Sequence, residues 1–386
     1  MPKIIYIPKF SPTPIGHGGN HRSYQIDHDL RHIVDDAQII MLSFEDWLKK
    51  YLEVESSIGR SVFSLKRLIR KRIENPFKIF SKENFALFDS LPKPFLHEYL
   101  EIIRQEKPDI AIIENAGFYR LIKINRMNQI RSICAPQNLD SLDIVRLNAH
   151  GPIIDPVFTS DFSNEMRALS KFDDRLMISS VESGFVGGLG MSNRHYPYLP
   201  VGEVRSSLLD VRESRIEFKP DRNIFLMLGT VSHPTTRDAF TWFLEQAKRH
   251  GLPKAAKIII AGLEADSLLP QNEHIPGIQI KGWLEQEELD SILAAARAVL
   301  IPQFRGFGSL TRLSELSCAG IPTIVSIHPT IAAGKPPGCV SLAKNWEEWI
   351  RVIEEFQGTD DTVPIEEYLE WEVNQSYPLN QMLHSA

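Results

Sequence analysis

Val299-Leu300-Ile301-Pro302-Gln303-Phe304-Arg305-Gly306-Phe307-Gly308-Ser309-Leu310-Thr311-Arg312-Leu313-Ser314-Glu315 is the stretch on which the reading of this 386-residue chain turns. An apolar strand, Val299–Ile301, feeds a glycine-bearing loop, and the loop feeds a helix. In α/β proteins such a junction binds phosphates. Glycines let the backbone approach closely, outward N–H groups point at the ligand, and the helix dipole favours an anion. Ser309 is the expected N-cap. Arg312 and Glu315 stand three apart and share a helix face near its start. A cation in a first turn is unfavourable unless an anion answers it. Arg312 on a phosphate and Glu315 on a ribose diol would satisfy both groups; a surface ion pair on an ordinary helix is the other reading.

The segment that follows, Cys318-Ala319-Gly320-Ile321-Pro322-Thr323-Ile324-Val325, ends the helix at Gly320 and opens a new strand after Pro322. The alternation continues in both directions. Candidate strands in the second half are Asn223–Leu228, Lys257–Ala261, Ile278–Lys281, Val299–Ile301, Thr323–Val325 and Cys339–Ser341. Helical stretches lie between them: Asp238–His250, Glu285–Ala296, Leu310–Ala319 and Trp346–Phe356. The first half offers strands at Lys3–Ile7, Gln38–Leu42, Asp109–Ile113, Ser132–Ala135, Arg175–Ile178 and Arg194–Tyr198. Several are apolar throughout, as strands covered on both faces must be. The class is α/β, built from two Rossmann-like doubly wound domains. The seam falls in 201–221, which is charge-rich and without strong periodicity. The expected division is 1–200, a linker at 201–221, and 222–364, with a C-terminal helix over 365–386 packing back on the first domain.

Composition narrows the function. There are 43 Lys+Arg against 49 Asp+Glu, a net charge of −6, which argues against a nucleic-acid binder held by a positive field. No apolar run reaches the roughly 18 residues of a membrane span. The N-terminal run is too short for a secretory signal and reads as a first strand. Cys134, Cys318 and Cys339 are far apart and odd in number, which fits a reducing cytosol and no disulfide framework.

The order of elements carries a resemblance. Gly282-Trp283-Leu284, a helix, a strand, Gly306-x-Gly308, Glu315 and then Ala319-Gly320-Ile321-Pro322 resemble the donor domain of glycosyltransferase family 4 (glycosyltransferase group 1). Leu228-Gly229-Thr230 before His233-Pro234 and Ile260-Ala261-Gly262 extend it, from about Asn223 to Ser326. In the first half the matches are Gly18-Gly19-Asn20-His21-Arg22, Pro136-Gln137-Asn138 and Ser179-Ser180-Val181-Glu182. The resemblance implies the glycosyltransferase B fold, two Rossmann-like domains facing across a cleft. It implies transfer of a sugar from a nucleoside-diphosphate sugar to a glycan, lipid-linked or small-molecule acceptor, with retention of configuration. Neither a cofactor nor a metal is expected. Glu315 would bind the donor ribose and Arg312 the diphosphate. Gly306, Phe307, Gly308, Ser309, Leu310 and Thr311 would line the donor. Gly18 and Gly19 would face the diphosphate from the other domain, and Gly229, His233 and Arg237 would complete the donor side. Two positions depart from the family pattern. Phe307 stands where the family often has an earlier glutamate, and the second basic residue has no direct match beyond Arg237 or His233.

On the acceptor side the family often has a histidine at the end of the strand Asp109–Ile113. Here Glu114 and Asn115 stand there, and Glu114 joins Arg312 and Glu315 as a catalytic candidate. A helix-capping pair is the other reading. His17 and His21, flanking the glycine loop, and Asn138 are acceptor-contact candidates. Asp27-His28-Asp29 is a DxD, but on a helix, where carboxylates two apart diverge. The basic stretch 60–78 reads either as a peripheral contact with anionic lipid at the inner face of a membrane or as an amphipathic helix on the first sheet. Rival readings on the same fold are a nucleotide-sugar epimerase and a catalytically silent glycan- or nucleotide-binding module. A dehydrogenase fits poorly, because Gly16-His17-Gly18-Gly19 lacks GxGxxG spacing.

Overall fold

A computed structural model describes residues 2–32, 37–57, 91–142, 156–270, 273–304, 308–357 and 362–375. The basic stretch 60–78, Gly306 and Phe307 lie outside the described residues. The chain divides into two units, 1–197 with 377–386, and 198–376.

In the first unit the order is β1 (Lys3–Ile7), α1 (Gly18–His32), β2 (Gln38–Met41), α2 (Phe44–Ser57), α3 (Lys93–Glu106), β3 (Ile110–Ile113), α4 (Arg120–Met127), β4 (Arg131–Cys134), α5 (Pro156–Leu169), β5 (Asp174–Met177), α6 (Ser180–Gly188) and β6 (Arg194–His195). The strands form one sheet in the order β2-β1-β3-β4-β5-β6, and every pairing is parallel. Alternate residues of the strands feed opposite cores. Ile5, Ile7, Ala111, Ile113 and Met177 pack with Phe95 and Tyr99 of α3 and Leu121 of α4. Ile4, Tyr6, Ile112, Ile133 and Leu176 pack with Ile26 and Leu30 of α1 and with Tyr196. Both faces are covered, and the central strands β1 and β3 carry apolar runs, Ile4–Ile7 and Ile110–Ile113, for that reason.

The second unit runs α7 (Gly202–Phe218), β7 (Asp221–Leu228), α8 (Pro234–His250), β8 (Lys257–Ala261), β9 (Ile278–Ile280), α9 (Gln286–Ala295), β10 (Ala296–Ile301), α10 (Thr311–Cys318), β11 (Thr323–Ser326), α11 (Ile327–Ala333), β12 (Cys339–Leu342), α12 (Trp346–Gln357) and α13 (Ile365–Val373). Its sheet is also parallel, ordered β12-β11-β10-β7-β8-β9. Phe225, Met227, Ile258, Ile260 and Leu300 face α8 and α12, whereas Leu226, Val299, Ile301 and Val325 face Val211, Leu293, Leu313 and Leu316.

Each sheet therefore reverses strand order once, between β1 and β3 in the first and between β7 and β10 in the second. In open α/β sheets, ligands bind outside the carboxyl ends of the strands at such a reversal.

Two boundaries differ from expectation. The stretch 201–221 is no loose linker: most of it is the helix α7, inside the second unit. Its periodicity is faint because its buried face carries Arg212 and Arg215 beside Val204 and Val211. The helix expected at 365–386 is, over its described part, α13. It belongs to the second unit: Tyr368 is buried, Glu372 pairs with Arg205 at 2.6 Å, and Trp371 Nε1 donates to the Gly334 carbonyl at 3.3 Å. Residues 376–386 lie outside the described residues.

Five arginines are buried in the cores, and they donate mainly to backbone carbonyls. Arg22 donates to Tyr196 and Pro197, Arg175 to Leu169, Phe172 and Ser192, and Arg212 to Ser317, Cys318 and Val363. Arg215 caps the carbonyl end of α9 at Leu293 and Ala294 and reaches Ala296, while Arg297 reaches Phe356. The three cysteines are buried and unpaired. Among the described residues no helix is long and apolar enough to cross a membrane.

Candidate functional site

The second sheet's reversal places the ends of β7 and β10 side by side. After β7 come Gly229 and His233, then α8; after β10 comes the loop leading to α10. Arg312, in the first turn of α10, reaches across and donates through Nη1 to the Leu228 carbonyl, the last residue of β7. Gly229 lies directly beneath it, since a Cβ there would come 3.6 Å from Arg312 Nη1 and 2.6 Å from the Thr236 methyl. The turn is held from behind by Gly262. A Cβ on Gly262 would fall 2.1 Å from the Gly229 carbonyl oxygen, and its φ of +136° is one that side chains disfavour.

Neither α8 nor α10 carries an acidic residue in its first turn. Both start at the reversal, and both leave first-turn N–H groups without intrahelical acceptors. Two positive helix ends and one guanidinium thus converge. Burial lowers the Arg312 guanidinium below its usual value, and the Glu315 carboxylate opposes that shift. His233 is the residue before α8, and its Nδ1 lies 2.6 Å from Thr235 Oγ1. Burial, assisted by the Arg312 charge, pushes its pKa down to about 4. The ring is therefore neutral at pH 7.

That shift has a measurable consequence. An unfolded histidine titrates near ~6.5. Its folded pKa is depressed, so the native state binds fewer protons between about 6.5 and 4 than the unfolded chain does. Stability from this group is complete above about 6.5 and is lost as pH falls toward 4. We expect His233→Gln to flatten the pH dependence of unfolding in that window by about 2 kcal/mol, after discounting for partial exposure. Parallel curves for variant and parent in urea titrations between pH 7 and 4 would refute it.

Glu315 lies one helical turn beyond Arg312. Its Oε1 accepts a hydrogen bond from the Tyr198 hydroxyl at 2.9 Å. Arg237 is placed otherwise: its Nε donates to the Val231 carbonyl at 3.1 Å and its Nη2 faces Glu264 at 3.6 Å, with the side chain 53% exposed. Gly308 adopts φ +75°, which suits glycine, and turns the loop into α10. The N-cap of α10 is Leu310, with no side-chain cap, where Ser309 was expected. Ser309, Leu310 and Thr311 nevertheless form the entry to that helix. Gly229, His233, Arg312 and Glu315 are thus gathered around one strand reversal, and Arg237 lies at its margin.

In the first unit Gly18 and Gly19 are not a free loop but the first turn of α1. Gly19 N–H donates to His17 Nδ1 at 3.0 Å, and the His17 ring stands edge-on to Phe10 with centroids 4.6 Å apart. Burial lowers the His17 pKa. His21 lies one turn on, its N–H donating to the His17 carbonyl at 3.2 Å.

Glu114, at the end of β3, is 1% exposed. Its carboxylate accepts from the Tyr6 hydroxyl, from Lys9 N–H at 2.7 Å, from Ser23 Oγ at 2.7 Å and from Gln137 Nε2 at 3.2 Å. Burial raises the Glu114 pKa, and burial followed by the Glu114 charge raises that of Tyr6. So Glu114, expected among the catalytic groups, is enclosed and ties the ends of β1, β3 and β4 to α1. Asn115 caps the short turn Ala116–Phe118 by accepting from Gly117 N–H at 2.8 Å. Asn138 lies on the loop after β4. Its neighbour Gln137, quoted from sequence in the matched stretch but given no role there, donates through Nε2 to the Gly19 carbonyl at 3.0 Å and fixes the start of α1. Tyr198 was missed as well; it stands 117 residues from Glu315, and no local pattern marks it.

The DxD carboxylates go separate ways. Asp27 takes Arg31 Nε at 2.9 Å, and Asp29 is buried, accepting from the Tyr196 hydroxyl. Among the described residues no group of three or more His, Cys, Asp or Glu is placed to hold a metal ion.

No protein-family model matches the sequence, and no curated protein does. Solved structures do match over the whole length. Sucrose-phosphate synthase from Thermosynechococcus elongatus is 13% identical, with all of both chains covered and a TM-score of 0.60. HepE from Anabaena, solved with UDP, is 10% identical over 100% of this chain and 98% of that one, with a TM-score of 0.57. WaaG, a glycosyltransferase involved in lipopolysaccharide biosynthesis, is 12% identical over 98% of each chain, with a TM-score of 0.56. Two six-stranded parallel Rossmann-like units in this arrangement along the chain define the glycosyltransferase B fold.

Proposed function

We propose that the protein is a glycosyltransferase that takes a sugar from a nucleoside-diphosphate sugar. The observation that carries this is the meeting of Arg312, Gly229 and the first turns of α8 and α10 at the second sheet's reversal, with Glu315 one turn away. A leaving diphosphate must be stabilised as the glycosidic bond breaks. A planar guanidinium can bind it bidentately, and two helix ends add positive potential without a metal. Glu315 suits a ribose diol, because a carboxylate accepts from two hydroxyls at once. That the matched HepE was solved with UDP and with UDP-glucose supports the same ligand class here.

The proposed transfer retains configuration, with attack on the face the diphosphate leaves, and passes the sugar to a glycan, lipid-linked or small-molecule acceptor. His17, His21, Asn115 and Asn138, near the ends of the first unit's strands, are its proposed contacts. Three unpaired thiols suit a reducing, cytosolic setting.

Thermal unfolding with a panel of nucleoside diphosphates and their sugars tests the reading. A ligand at a hundredfold its Kd stabilises by about 2.7 kcal/mol, so a binder shifts the transition by several degrees. A binder followed by sugar transfer, with the product anomer read by NMR, supports it. Turnover of the donor sugar to its epimer without an acceptor, or no shift with any nucleotide, would overturn it.

A further inference from the structure

The geometry points to Tyr198 as a positioning residue: its hydroxyl sets the Glu315 carboxylate for the ribose 2′- and 3′-hydroxyls, and so selects ribonucleotide over deoxyribonucleotide donors. The inference rests on the reading of Arg312 and Glu315 given above and extends it to a residue that lies well outside that stretch of sequence.

A glutamate side chain has three rotatable bonds and sweeps a wide arc, so its place on a helix does not fix where its oxygens point. Tyr198 removes that freedom. Its ring is rigid and 3% exposed, and its hydroxyl donates to Glu315 Oε1 at 2.9 Å. A carboxylate is planar, so fixing one oxygen against a rigid donor restricts the plane in which the group accepts further hydrogen bonds. A vicinal diol is recognised well only by acceptors held in one orientation, because the ordering is then complete before the ligand arrives.

The surroundings keep Tyr198 in place. Residues 196–200 are all buried. Tyr198 is near Tyr368 of α13 and Cys318 of α10, and Tyr368 in turn donates to Glu372, the partner of Arg205. Burial, and then the Glu315 charge, raise the Tyr198 phenol well above its usual value, so it remains a donor at any working pH. Loss of the hydroxyl removes one atom and leaves the ring's packing intact.

The test compares equilibrium affinities for UDP, ADP, GDP and CDP with those for their 2′-deoxy forms. A hydrogen bond to a charged acceptor corresponds to tenfold or more in affinity. The parent should therefore bind the favoured ribonucleotide about tenfold or more tighter than its deoxy form. Tyr198→Phe should shrink that ratio to within about threefold, chiefly by weakening the ribonucleotide, and should leave the deoxy form near its parental affinity. A Tyr198→Phe protein with a parental unfolding transition and an unchanged ratio overturns the role of Tyr198 while leaving the diphosphate site standing. No binding of any nucleoside diphosphate by the parent overturns the site itself, and this inference with it. Glu315→Asp provides a second arm that keeps Tyr198 in place. It withdraws the carboxylate by one methylene and should also collapse the ratio; an unchanged ratio there counts equally against the proposal.

Discussion

Arg312→Ala is expected to lower kcat by about two orders of magnitude or more at saturating donor, the scale of removing one preorganised donor from a developing anion. Arg312 donates to the Leu228 carbonyl at rest, which aims the guanidinium at the end of β7 before any ligand binds. The groups around it are the neutral His233 ring, the Gly229 backbone and two helix starts, none of which can take over a full positive charge. Arg312→Lys keeps the charge and loses the planar fork, so its turnover should fall between parent and alanine variant. Near-parental kcat for Arg312→Ala, in a protein that unfolds at the parental temperature, would remove the diphosphate from this place.

Glu114→Ala should be the most destabilising single change in the first unit's site, at about 3 kcal/mol or more. The carboxylate receives Tyr6, Lys9 N–H, Ser23 and Gln137, and its removal leaves buried donors without their acceptor. Tyr6 retains the Ser23 carbonyl at 3.0 Å, and Gln137 retains Gly19, so Lys9 N–H and Ser23 Oγ bear most of the cost. A lowering of the unfolding temperature by about 6 °C or more is the expected signature for a unit of this size. Glu114→Gln keeps an acceptor oxygen and should lose less than half of that. If both variants unfold with the parent while turnover disappears, Glu114 acts on the substrate and not on the scaffold.

The alternation of apolar runs with helical stretches revealed both sheets, because strands buried on two faces are mostly apolar. What escaped were places where polar side chains occupy core positions. β10 begins at Ala296, within Ala294-Ala295-Ala296-Arg297-Ala298, which has the composition of a helix end. Its pairing with β7 and the burial of Arg297 make it a strand. α7 was obscured in the same way by Arg212 and Arg215. At the site, Arg312 and Glu315 were legible because helix spacing and the loop before them are local properties. The engagement of Glu114 was not, since it depends on Tyr6, Ser23 and Gln137, brought together only by the β1-β3-β4 pairing. Tyr198 had no local signal at all.

The guanidinium ties of Arg22, Arg175, Arg212, Arg215 and Arg297 carry a consequence for how the protein meets acid and salt. Ordinary ion pairs dissolve when their carboxylates take up protons, and added salt weakens them. Amide oxygens do not titrate in that range, and charge on the guanidinium persists throughout it. These attachments to the backbone should therefore outlast the weakening of surface ion pairs, holding strand ends and helix ends in register in saline media that screen exposed pairs such as Arg351 and Glu355.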